Sequence, residues 1–245
     1  MTKTLRTLLP MLLLLLAACQ STHIGDRAYK ISASKVELGA VGYAYSPDNL
    51  RHKFDIKAIP VLENKVRLEV QLLPFTEEIN TIYLAKIKEK GLEPAIKYSD
   101  SLSKKPVYVT VSLLDAATFI AAVNSPVNKE LYQYLVQTKN TSIVTGLAVA
   151  PQESLIEKIN TADTFYLVYN QEGKYAVACY KEGKRTGFID LGASEILAYT
   201  TGRFCWFEDE RGRWKIGDIV KSTDVCRGKM KPEVKDKEEV NLFKL

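Results

Sequence analysis

The strictest pattern in this chain is an alternation. Val66, Leu68, Val70 and Leu72 interleave with Lys65, Arg67, Glu69 and Gln71. Successive side chains of an extended strand point to opposite faces, so this run has one apolar and one polar face. That is the mark of a half-buried and usually antiparallel strand. Phe54, Ile56 and Ala58 alternate with Asp55 and Lys57 in the same way, and Glu63-Asn64 between the runs reads as a tight hairpin turn. An earlier strand is expected within 30–45, closed by Ser46-Pro47-Asp48-Asn49.

The middle of the chain changes character. Val107, Val109, Val111 and Leu113 make a strand, and Asp115 is placed to cap a short helix carrying Phe119, Ile120 and Val123. Ser125-Pro126 starts a second helix, with proline at the first position, where its missing N–H costs nothing; Leu131, Tyr134 and Leu135 form its apolar face. Ser142 to Val149 is again a strand, and Pro151 opens a third helix with Leu155, Ile156 and Ile159. This reads as a strand–helix–strand–helix section of α/β type. Residues 77–98 carry two readings. Ile79, Ile82, Tyr83 and Ile87 have helical spacing behind Thr76, but Gly91-Leu92-Glu93-Pro94 also divides the stretch into two strands, and the strand or mixed reading is preferred.

A β-meander follows: 165–169, 175–180, 186–191, 195–199, 203–207 and 214–220, separated by turn-forming Gln171-Glu172-Gly173, Glu182-Gly183 and Glu210-Arg211-Gly212. The expected fold class is α+β, β-rich and mostly antiparallel. The expected organisation is a globular body over 29–226, with a possible subdivision near 103–106, and a charged solvated tail over 227–245.

The N-terminus reads as an address. Basic residues Lys3 and Arg6 precede the apolar run Leu8 to Ala18. As a helix those 11 residues would cover about half of a bilayer core of ~30 Å. The run therefore fits the core of a signal peptide over 1–18 and not a membrane-spanning helix. Its end, Leu16-Ala17-Ala18-Cys19, resembles the lipobox of bacterial lipoproteins. The resemblance covers the first 19 residues only. It implies cleavage before Cys19, a diacylglyceryl group on its thiol and a further acyl chain such as palmitate on the new amino group. The partner so implied is a membrane, reached through lipid on Cys19. Two or three chains hold far more firmly than the single chain that binds reversibly. Gln20 stands where an Asp commonly retains Gram-negative lipoproteins in the inner membrane, which favours the outer membrane and its periplasmic face. The single membrane of a Gram-positive cell is the alternative. Residues 19–28 read as a short lipidated tether.

Processing sharpens the charge balance. Of 34 basic residues, Lys3 and Arg6 are lost, leaving 32 against 29 acidic ones, a net +3. That mild balance makes no case for nucleic acid. Three cysteines remain in a compartment that permits disulfides. Cys205 and Cys226 lie near the ends of the last expected hairpin and are the preferred pair, worth roughly 3 kcal/mol by loop-closure entropy. Cys179, among apolar neighbours, reads as a small buried hydrophobe.

Catalytic equipment is sparse. The chain has 2 His, His23 in the tether and His52 beside a turn, too few for a His-rich metal centre. It carries no phosphate-binding glycine loop, nucleophile elbow or zinc-protease helix, and no cofactor is expected. Glu208-Asp209-Glu210 at a hairpin tip suits a solvated turn better than a cation site. Trp206 and Trp214 flank the last hairpin as a candidate aromatic surface, with cross-strand packing as the competing reading. The functional expectation is a lipid-anchored, non-catalytic accessory or interaction component of an envelope assembly, meeting an envelope protein partner. A glycan- or peptide-binding lipoprotein is the second reading and an envelope hydrolase the third.

Overall fold

The computed structural model describes residues 21–24, 27–32, 35–45, 52–169 and 173–234. The expected signal segment, Cys19, the expected turn at 46–49 and the outer part of the expected tail lie outside them. Twelve strands and four helices are described, and the strands form one antiparallel sheet.

In chain order the strands are β1 (Ser21–Ile24), β2 (Arg27–Ile31), β3 (Val41–Tyr45), β4 (Lys53–Ala58), β5 (Val66–Pro74), β6 (Val107–Leu113), β7 (Ser142–Ala150), β8 (Thr164–Tyr169), β9 (Tyr175–Lys181), β10 (Lys184–Ile189), β11 (Glu195–Glu208) and β12 (Trp214–Lys221). The helices are α1 (Glu77–Glu89), α2 (Ala116–Val123), α3 (Lys129–Gln137) and α4 (Glu153–Thr161). The sheet order is β1-β2-β11-β7-β6-β5-β8-β9-β10; β12 also pairs with β11, and β3 joins β7 to β4.

Both faces of the central strands are covered, which is why β6 and β7 read as near-continuous apolar runs. On one face Val109, Val111, Leu147, Val149, Leu167 and Val177 pack in a single cluster with Phe119 of α2, Leu135 of α3 and Leu155 of α4. On the other, Tyr108, Ala148, Ala150 and Ala198 meet Ile79, Ile82, Tyr83 and Ile87 of α1.

The middle section does not form an α/β crossover. β6 and β7 are antiparallel neighbours, Val109 opposite Val149 and Ser112 opposite Gly146, and α2 and α3 both lie in the connection between them. β5 and β6, on either side of 103–106, pair from Leu68 opposite Leu113 to Pro74 opposite Val107.

Several expectations are corrected. Residues 77–89 are helix, not a strand pair. The Thr76 side chain accepts from the Ile79 N–H at 3.2 Å, and Gly91, at φ 65°, ends the helix. There the Leu92 N–H reaches the Ile87 carbonyl (3.1 Å) and the Gly91 N–H reaches that of Lys88 (3.0 Å), a glycine-terminated helix end. The glycine that suggested a hairpin is a helix stop.

The expected hairpin about Glu63-Asn64 does not form either. β4 pairs with β3, whereas β5 lies between β6 and β8. The link between β4 and β5 is held by distant side chains: Asn128 bonds the Val61 N–H and C=O, both at 2.8 Å, and the Tyr175 hydroxyl donates to the Pro60 carbonyl at 2.5 Å.

Residues 195–199 and 203–207 are one strand, bent by register shifts at Ile196/Ala198 and Thr200/Thr201. The expected tether contains the β1–β2 hairpin, Ser21 opposite Lys30, and β2 pairs on to β11. The first residues of the expected tail fold back, with Lys231 bridging Trp206 through backbone bonds of 2.7 and 2.8 Å.

Candidate functional site

β11 organises the region where the sequence placed its candidates. Cys205, fully buried on this strand, is disulfide-bonded to Cys226, with their Cα atoms 5.6 Å apart. Cys226 lies beyond the end of β12, so the bond pins the departing chain across β11 and not simply the hairpin. Cys179 is free and buried, and burial pushes its thiol up, away from the reactive thiolate.

Trp206 and Trp214 do not form an aromatic surface. Trp206 is 3% exposed and packs edge-on to Tyr132 at 6.1 Å. Trp214 is half-buried, its carbonyl accepts from the Tyr132 hydroxyl, and the Lys231 ammonium sits 5.4 Å from its ring centroid. The two tryptophans are not directly opposed: Trp206 faces Ile216 and Trp214 faces Glu208, and the register shifts between Cys205 and Trp206. The extra residue of that shift, Gly217, lies on β12; on β11 Phe204 and Trp206 share the core face, and Cys205 between them is covered by its bond to Cys226.

The acidic tip is a self-contained turn. Asp209 accepts from the backbone N–H groups of Arg211 and Arg213, both at 3.0 Å, and from the Arg213 guanidinium at 3.0 and 2.9 Å. Those bonds, led by the Arg213 N–H, hold its carboxyl well below the usual carboxylate range. With its acceptors used in this way, the carboxylate has little left for a cation. No group of three or more His, Cys, Asp or Glu converges among the described residues. His52 lies beside Ser32, to which it bridges, and its N–H donates to the Ile31 carbonyl at 3.2 Å.

Three clefts open on the described surface. One of about 590 Å³ lies over the α2–α3 connection, beside Lys57 and Tyr134. Another, of about 320 Å³, has Tyr175, Leu167 and Ile196 in its walls. The third, of about 310 Å³, lies between the end of α3, the 138–142 loop, Arg203 of β11 and the returning segment 232–234.

A polar accounting separates them. Three buried side-chain atoms among the described residues have no hydrogen-bond partner: Ser125 Oγ, Tyr199 OH and Arg203 Nε. Of these only Arg203 borders one of the three clefts. Its Nη2 donates to the Ser222 carbonyl at 2.9 Å, which fixes the guanidinium plane and leaves Nε unused. A guanidinium donates only, and an unpaired buried donor costs about 1–3 kcal/mol. Nε itself is buried, so an acceptor entering the cleft would satisfy it only by drawing the guanidinium towards it, and a carboxylate or phosphate oxygen matches the fork best.

The rest of the cleft is built for a fixed shape. Asn140 turns the loop with φ 57°, a left-handed conformation that asparagine tolerates better than most residues. Phe204 and Trp206 supply an apolar floor, Lys139 adds a cation and Glu233 an anion. Sequence reasoning passed over Arg203, because its environment is made by Ser222 and by residues 232–234 about 30 positions away. No protein-family model, no curated protein and no solved structure matches this chain.

Proposed function

We propose that this chain is a lipid-anchored bacterial envelope protein that acts by binding, as a non-catalytic component of an envelope assembly. The observation that carries the location is Leu16-Ala17-Ala18-Cys19 behind a basic start and an apolar run. Gln20 supports the outer membrane and its periplasmic face. The binding role is supported by the Arg203 cleft, whose unused Nε–H is suited to an acceptor on a partner, such as an acidic side chain or a chain-terminal carboxylate. The second reading is a peptide or glycan ligand in the same cleft, favoured by its modest volume of about 310 Å³.

Two experiments test this. Cys19→Ala, or inhibition of the lipoprotein signal peptidase, should leave an unlipidated or unprocessed chain that no longer fractionates with membranes; unchanged retention of the Ala variant refutes the anchor. Affinity purification from crosslinked envelopes should recover a partner with the native chain and far less with Arg203→Gln. Equal recovery with both removes the cleft from the reading. A lone monomer that binds a glycan or peptide on an array selects the second reading.

A further inference from the structure

We infer that one end of the sheet, crossed by α1 and its return loop, is a second contact with the bilayer, fitted to anionic lipid headgroups. The inference rests on the anchoring reading above and adds the orientation of the body.

The placement follows from strand register. Cys19 is two residues before Ser21, a reach of at most about 7 Å. Ser21 is opposite Lys30, Lys30 is opposite Tyr199, and the Ser32 N–H bonds the Leu197 carbonyl. The anchored terminus therefore emerges at the Glu195 end of β11. Ala150 of β7 pairs with Glu195, Val109 of β6 with Val149, and Pro74 of β5 with Val107, so those strand ends share that end of the sheet.

α1 starts just after β5 and finishes beside β11, where Glu195 pairs with Lys90 and, at 3.9 Å, with Lys86. It thus spans four strands across the anchored end, and residues 90–106 return along it to β6. Tyr83 and Phe75 hold the return loop: the Tyr83 hydroxyl accepts from the Ile96 N–H at 3.2 Å, and the Phe75 ring lies 6.4 Å from that of Tyr98.

The composition of this surface is unusual for the molecule. Leu92 is 59% exposed, Leu102 42% and Leu84 41%, three of the four large exposed leucines among the described residues. Residues 84–105 hold six lysines against three carboxylates, an excess equal to the whole net charge of the processed chain. Lys88, Lys97 and Lys104 carry no carboxylate partner among the described residues, whereas Lys105 is paired with Asp100 at 3.1 Å. Exposed leucine flanked by unpaired lysine, held within a short reach of an acylated residue, is the chemistry of interfacial contact with an anionic membrane.

The test uses the processed, lipidated protein in vesicles of phosphatidylethanolamine and phosphatidylglycerol. A polarity-sensitive dye is placed at Leu92→Cys and, as control, at Arg211→Cys on the far hairpin; Cys179 is buried and Cys19 acylated, so the new thiol takes the label. With the protein floating on vesicles, brominated lipid should quench the dye at 92 several-fold more than at 211. Adding Lys88→Glu, Lys97→Glu and Lys104→Glu should weaken the contact equilibrium that the quenching reports, by roughly five-fold per lysine in contact, and so bring the dye at 92 towards the level at 211 while flotation persists. Flotation with an aqueous dye at both positions overturns the orientation and leaves the anchor standing. Failure to float overturns both.

Discussion

Removing the Cys205–Cys226 bond should lower stability by an amount that can be worked out. The two cysteines are 21 positions apart. Loop-closure entropy for a ring of that size is about 11 cal/mol/K, or about 3 kcal/mol at 25 °C. The native state keeps other ties on the same segment, since Lys231 still pairs with Trp206, but those form only after folding and leave the entropy of the unfolded chain unchanged. Cys226→Ser should therefore destabilise by about 3 kcal/mol and lower the melting temperature by roughly 6–12 °C for a body of this size. The chain has 2 Trp, one next to Cys205 in sequence and the other on the paired strand β12, so their fluorescence during urea unfolding reports on this region directly. The oxidised native protein, the same protein reduced, and Cys226→Ser should give one high midpoint and two low ones that agree. If Cys226→Ser unfolds within about 1 kcal/mol of the oxidised protein, the entropic argument is wrong for this fold.

Other consequences are more local. Asn128 makes three side-chain bonds of 2.8 Å, to the Val61 N–H and C=O and to the Ala122 carbonyl, so Asn128→Ala should cost roughly 3–4 kcal/mol in urea titrations. At Gly42 an added Cβ would sit 1.9 Å from the Asp55 carbonyl oxygen, so Gly42→Ala must part β3 from β4; a loss of about 3 kcal/mol and faster amide exchange along 41–45 are expected. Asp115 accepts from the Thr118 hydroxyl at 2.6 Å and its N–H at 2.9 Å, which lowers its carboxyl below the ordinary value. A value lower in the folded than in the unfolded state means the stabilisation is complete above the unfolded value near ~4 and is lost as pH falls through the folded one. Asp115→Asn should flatten that part of the acid melting profile, and Asp115→Ala should cost about 1 kcal/mol at neutral pH.

What could be read from the chain alone followed the range of the interactions. Alternation along 65–72 is a property of one strand, and β5 stands there. The continuous apolar runs of β6 and β7 likewise announce burial on two faces. Pairing is not local: β5 finds β6 about 40 positions away and β8 about 100 away, so Glu63-Asn64 suggested the wrong neighbour. Gly91 was informative but ambiguous, because a left-handed glycine serves a helix end and a hairpin equally well. The disulfide was accessible because it depends on where two cysteines fall relative to strand ends. Trp206 carried two readings, a surface and cross-strand packing, and the choice rests on Tyr132 and Lys231, which only the folded chain brings beside it. Arg203 was silent, since only the folded Ser222 and the 232–234 segment make its Nε an orphan.

β11 joins the two ends of the proposed function. The β1–β2 hairpin, next to the terminus proposed to carry lipid, attaches at Ala198 and Tyr199, whereas Arg203, Cys205 and Trp206 lie further along the same strand. From Leu197 to Arg203 is six residues, about 20 Å of strand, so the cleft stands off from the end proposed to meet the bilayer. One wall of that cleft, 232–234, is connected to the body through Lys231 at Trp206 and through Cys226 at Cys205. Reduction removes the covalent one of these ties and leaves the other with two backbone bonds, so the wall should open locally at a lower cost than global unfolding. Under conditions where the reduced protein remains folded, it should therefore recover less partner from crosslinked envelopes than the oxidised protein does. Its flotation with membranes should not change. Equal recovery in both redox states would mean that the disulfide secures the fold without shaping the cleft, and the binding surface would then have to be sought away from 232–234.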